Sequence, residues 1–200
     1  GQGFLGGTGA AGTGRGPGAG PGRELIGWDA TKGAAHGGAG GPNSLDYYSS
    51  APNWTMNSNI YGNVRTPVTL GSGSGSAEWL AGARGAGRAK ITLTSGNLVV
   101  NGYVRADGDD GDNNGHTTGG GSGGSIWITI GGGTVGGTGF IQSNGGGNTG
   151  QGNDFRRSGG GGGGYVAIDG FTGSVAGTLT TQSLGGAGYD SNHRGGAGFV

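Results

Sequence analysis

The chain has 200 residues, of which 60 are glycine, with eleven basic and eleven acidic residues and no cysteine. Leu, Ile, Val and Phe together supply only 31 residues, too few for a thick side-chain core, and the balanced charge leaves no electrostatic bias toward nucleic acid or an anionic membrane. Absent cysteine excludes disulfides and thiolate metal sites, and no apolar run approaches the roughly 18–20 residues of a membrane-spanning helix.

So much glycine reads as low-complexity disorder unless it carries a period. Residues 1–30 open with a Gly-, Ala- and Pro-rich stretch in which Phe4 and Leu5 are the only apolar pair. They read as the glycine-rich tail of a preceding repeat, and the chain as a piece of a longer secreted protein. In residues 31–86 glycine thins between Asn43 and Leu70, where Tyr47, Tyr48, Trp54 and Tyr61 collect. This reads as an insertion or long loop with its own small hydrophobic cluster.

Residues 87–200 carry the period in three copies: AKITLTSGNLVVNGYVRADGDDG, SIWITIGGGTVGGTGFIQSNGGG and YVAIDGFTGSVAGTLTTQSLGGAG. Their alignment sets Ile91 with Ile126 and Val166, Leu93 with Ile128 and Ile168, Gly102 with Gly139 and Gly177, and Val104 with Ile141 and Leu179. The last set is spaced by 37 and then 38 residues. Each copy has two alternating runs, the period of a half-buried strand. In the first run Ile126, Ile128 and Ile130 share one face and Trp127 and Thr129 the other. In the second, Val104, Ile141 and Leu179 point inward and Tyr103, Phe140 and Thr178 outward. Helix period is absent, and outside residues 42–61 glycine interrupts every window longer than about ten residues.

An all-β fold follows, with two architectures open. One is a glycine-rich β-solenoid of parallel β-helix type, whose equivalent strands stack coil on coil; the other is a β-sandwich of hairpins with Gly-rich loops. Equal residues at constant spacing favour stacking. Each coil then carries a glycine excursion, Gly108 to Gly124 and Gly145 to Gly164. Chains without Cβ can lie side by side in the extended threefold polyproline-II conformation with each backbone bonded to its neighbours, and this favours ordered excursions over flexible spacers.

The segments GGGSGGSIWIT, GGTGFIQSNGG and GGGGGGYVAI resemble the glycine-rich repeats of very large secreted or cell-surface proteins of bacteria, with similar blocks in some exported plant and protist proteins. GAAHGGAGG and IYGNVRTPVTLGSGSGS resemble the segment that precedes those repeats, and the likeness spans most of residues 30–185. The resemblance implies a β-helical extracellular stalk or adhesin passenger, a class in which few members have an assigned activity.

The sharpest chemical motif is Asp110, Asp112 and Asn114 followed by Gly115, the opening of a calcium loop in which alternate oxygen-bearing residues face the ion. Gly121 stands where an EF-hand's bidentate Glu would be, so calcium competes here with a solvated acidic turn. Tyr47, Tyr48, Trp54 and Tyr61 form either an aromatic platform for sugar rings of a surface or matrix polysaccharide, or a small core anchoring a loop. Asn53-Trp54-Thr55 fits an N-glycosylation acceptor. His36, His116 and His193 each sit alone among glycines. Glu24 and Glu78 are the only glutamates, which argues against a polysaccharide-active enzyme needing convergent carboxylates. The expected role is structural and adhesive, extracellular, non-enzymatic and built on self-association. A glycan-binding tip is the first alternative and a polysaccharide-active β-helix enzyme the second.

Overall fold

The computed structural model describes residues 2–22, 31–43, 55–77, 79–112, 116–148 and 157–200. Its regular structure is β, apart from one 3-10 turn at Ser191–His193. The strands are β1 (Arg88–Leu93), β2 (Leu98–Val100), β3 (Tyr103–Arg105), β4 (Ser125–Ile130), β5 (Val135–Gly137), β6 (Phe140–Gln142), β7 (Tyr165–Asp169), β8 (Ala176–Gly177) and β9 (Thr180–Gln182). They form three three-stranded sheets, β1-β4-β7, β2-β5-β8 and β3-β6-β9. Every one of these strand pairs is parallel. The chain therefore passes three times through the same three sheets, each passage a coil laid on the one before, and no hairpin joins consecutive strands.

Alternation sets which side chains fill the interior. Ile126 and Ile128 are fully buried and Ile130 is 2% exposed, while Trp127 and Thr129 stand outward and half-buried. Val135, Ile141 and Val166 join them in the central cluster along with Ala86, Val100 and Ala106, and Ile91, Leu98, Val104 and Ile168 pack against it from the outer coils. The middle coil is sealed on both sides, whereas β1 alternates between exposed and half-buried because only β4 covers it. Outside, the coil register sets paired side chains against each other: the Tyr103 and Phe140 rings stack at 5.3 Å, and Lys90 lies 4.2 Å over the Trp127 ring.

The observed register corrects the sequence alignment in two places. Ile126 pairs with Ala89, and Ile128 with Ile91, so the first strand is displaced by two residues from an alignment guided by identity. In the third copy Ile141 pairs with Thr181 in place of Leu179, and Gly177 pairs with Gly137 in place of Gly139. The step is 37 residues between the first and second coils (Ile91 to Ile128) and 40 between the second and third (Ile128 to Ile168), so the second step is 40 where 38 was expected. A slip of two keeps every side chain on its face, so the inward pattern survived the error. The middle sheet was missed outright, because β2, β5 and β8 hold two or three residues each, too few to show a period.

The glycine excursions build a second body beside the strands. Donors along 159–164 go in steps of three to the same neighbour: Gly159 and Gly162 to the carbonyls of Thr31 and Ala34, Gly160 and Gly163 to His193 and Gly196, Gly161 and Gly164 to Gly146 and Ser143. Its carbonyls accept with the same period, Gly159 and Gly162 from Gly120 and Gly123, Gly160 and Gly163 from Gly41 and Gly38, and Gly161 from Gly186. Three residues per turn is the polyproline-II repeat. This segment thus has six backbone neighbours and is buried throughout. A Cβ at Gly161 would come within 3.0 Å of the Gly121 carbonyl, closer than real side chains approach. Residues 2–22 also join this bundle, through Gly3 to Gly85 and Phe4 to Gly71.

Candidate functional site

The bundle and the strands meet at a polar junction. Residues 61–70 run as a strap across the first residue of each strand of the β1-β4-β7 sheet. Tyr165 donates its hydroxyl to Tyr61 O at 2.9 Å, Ser125 Oγ donates to Thr69 O at 2.7 Å, and Arg88 Nη1 donates to Val68 O at 2.8 Å. Gly62 begins the strap at φ +106°, and a Cβ there would meet the Tyr165 ring, so both backbone and space require glycine. Asn63 Oδ1 accepts from Arg65 N at 2.9 Å and shapes the exposed tip.

His36 sits at the centre of this junction with no exposure to solvent. Its Nδ1 lies 2.7 Å from Gly123 O, and its Nε2 lies 2.6 Å from Thr69 Oγ1. A carbonyl only accepts, so Nδ1 carries the proton and Nε2 accepts from the threonine hydroxyl. The backbone carbonyl of His36 takes the N–H of Tyr61. Tyr61 packs on the imidazole at 4.6 Å and Tyr165 meets it edge-on at 5.0 Å. Burial holds the imidazole pKa down at about 4, against a smaller upward pull from the Gly123 and Gly124 backbone. Burial likewise pushes the Tyr61 phenol up to about 12. The ring is buried, uncharged and bonded at both nitrogens, an arrangement that holds two bodies together.

Tyr61 is the one member of the expected aromatic platform among the described residues; Tyr47, Tyr48 and Trp54 lie outside them. It is half-buried, and its hydroxyl is engaged by Leu70 O and by Ser72 Oγ at 2.8 Å. In this chain Tyr61 anchors the strap, and its polar end does not face solvent.

Of the calcium candidates, Asp110 and Asp112 are described and Asn114 lies outside the described residues. Asp110 Oδ1 accepts the backbone N–H of Gly147 at 2.6 Å, and Asp107 Oδ1 accepts that of Asn144 at 2.8 Å. Asn97 and Asn101 do the same for Thr134 and Thr138, and Asn144 for Leu184. Each of these side chains caps a donor one coil further on, so Asp107 and Asp110 belong to a ladder that ties successive coils. Asp112 uses its backbone on Thr118, whose N–H it accepts and whose Oγ1 takes its own N–H. Among the described residues no group of three or more His, Cys, Asp or Glu is placed to hold a metal ion.

The other two histidines are also buried and lie apart from His36: His193 Nδ1 is 2.7 Å from Asp190 Oδ1, and His116 meets the exposed Trp79 edge-on at 4.4 Å. Sequence reasoning passed over the His36 junction because positions 36, 61, 69, 123 and 165 come from separate stretches with no shared spacing. The one local hint was a glycine directly after the aromatic Tyr61. Among the described residues no helix is long and apolar enough to cross a membrane. Comparisons with protein-family models, with curated proteins and with solved structures each found no match.

Proposed function

We propose that this chain is a β-solenoid segment, of parallel β-helix type, in an extracellular fibre, filament or stalk that works through shape and self-association and carries no catalytic activity. The observation that supports it most is the single hydrogen-bond lattice running through both bodies. The 37- and 40-residue steps that stack the strands also stack the glycine segments, so bending the molecule breaks bonds in two bodies at once. Such a device transmits shape and load. Among the described residues the outer edge of β7 carries one isolated parallel bridge, Tyr165 to Phe199, whose rings stack at 5.5 Å, and no further strand. Unpaired parallel edges of this kind recruit additional strands.

Electron microscopy of the purified chain across a concentration series tests this reading. Long uniform filaments are the expected result. Discrete particles of one chain at every concentration would overturn self-association and leave the solenoid without its proposed task.

A further inference from the structure

We propose that His36 is an acid-released clasp: when its ring takes a second proton, the strap of residues 61–70 detaches from the strand stack and uncovers the apolar outer edge of the third coil. This inference does not depend on filament formation. It rests on the way one residue holds both ends of the strap. The His36 carbonyl binds the N–H of Tyr61 at one end and its Nε2 binds Thr69 at the other, while Nδ1 fixes the ring to the bundle through Gly123 O.

The groups facing the ring are Tyr61 and Thr69 from the strap, Tyr165 from β7 and backbone carbonyls from the bundle. Both phenols are neutral at pH 7.5 and below, burial pushing their titration further up, and none of these contacts is a carboxylate. A protonated ring would be a buried cation among aromatic rings and backbone carbonyls with no carboxylate beside it, and its Nε2–H would donate to a Thr69 hydroxyl turned to accept it. The cost is the burial of that charge, and opening the strap removes it by bringing the ring to water.

Val64 and Arg65 of the strap line a groove together with Val166, Ile168, Phe171 and Val200, a mostly apolar lining that also includes Asp169 and Thr181. Release of the strap therefore widens an apolar surface that is half-covered at neutral pH. The direction is fixed by linkage. An open, solvated His36 protonates near 6.5 and the closed one near 4, so opening is promoted as pH falls through that interval. At pH 4.5 the opening equilibrium rises by on the order of 50- to 100-fold over pH 7.5.

Amide hydrogen exchange, corrected for intrinsic rates and followed at pH 7.5 and 4.5 on the whole chain, reads this directly. The wild type should lose at least about tenfold protection over residues 61–70 at pH 4.5 while the β4 amides keep theirs. His36→Gln, which keeps one donor and one acceptor but takes no proton, should hold its protection at both pH values. Unchanged wild-type protection at pH 4.5, or an equal loss in the variant, overturns the clasp. A parallel NMR titration of the wild type needs no variant: the His36 ring and the strap amides must shift with one midpoint, and separate midpoints overturn it as well.

Discussion

The strand stack and the glycine bundle obey opposite rules although one chain builds both with the same steps. In the stack each strand has at most two backbone neighbours, and the third direction is filled by side chains such as Ile126, Ile128 and Ile141. In the bundle a segment such as 159–164 has six backbone neighbours and no direction left for a side chain. Glycine, usually a mark of loose and exposed chain, here marks the most enclosed position in the molecule. The outer segment 80–87 shows the gradation: Ala81 and Arg84, three apart, are exposed, while Gly82, Ala83, Gly85 and Ala86 are buried. A threefold helix with one open side accepts any residue at every third position, and the sequence LAGARGAG records that side.

The widest test of this contrast is one methyl group placed in each setting. Gly161→Ala forces a Cβ within 3.0 Å of the Gly121 backbone, which no rotamer can relieve. We expect a loss of about 3 kcal/mol or more in chemical denaturation. Gly146→Ala, aimed at the Asp109 carbonyl, should behave alike. An Ala at either position that leaves the midpoint of unfolding unchanged would mean the bundle is not packed backbone on backbone in solution.

How much of this was legible in the sequence depends on which rule a region follows. The inward set of β4 could be read because Ser125–Ile130 is long enough to alternate and β-branched residues favour a pleated surface. Parallel stacking could be read from repeated spacing, although identity misled the pairing by two residues where Ala89, and not Ile91, faces Ile126. The six glycines of 159–164 suggested side-by-side packing but not their six partners, since neighbours as distant as Thr31 and His193 leave no mark nearby. The acidic run looked like a cation loop because a side-chain oxygen that caps a neighbouring coil and one that binds a metal call for the same residues, Asp and Asn. His36 could not be read as a clasp at all, because its partners converge only after both bodies have formed.

The next test compares depths within the stack. Ile128 is fully buried between two coils, whereas Ile91 is half-buried beneath one. Ile128→Ala should cost about 3–4 kcal/mol, and Ile91→Ala about half of that, because an open edge loses less buried area and can collapse around the gap. Equal costs would show that the first coil is covered in solution by something other than solvent.

The smallest effects separate capping from ion binding in the acidic run, and they bear on what joins the two bodies. If Asp110 serves only as the acceptor for Gly147 N, Asp110→Asn keeps the bond and should leave stability within about 0.5 kcal/mol, whereas Asp110→Ala should cost about 1 kcal/mol. A bound calcium ion predicts the reverse sensitivity, since it needs the charge more than the hydrogen bond: Asp110→Asn would then be nearly as damaging as Ala, and a chelator would lower the melting temperature of the wild type alone. The ladder formed by Asn97, Asn101 and Asn144 favours the first outcome, because neutral amides already do the same work one coil apart. On that reading Asp110 adds to the cohesion between coils as one more cap on a backbone donor, beside the packed side chains of the stack.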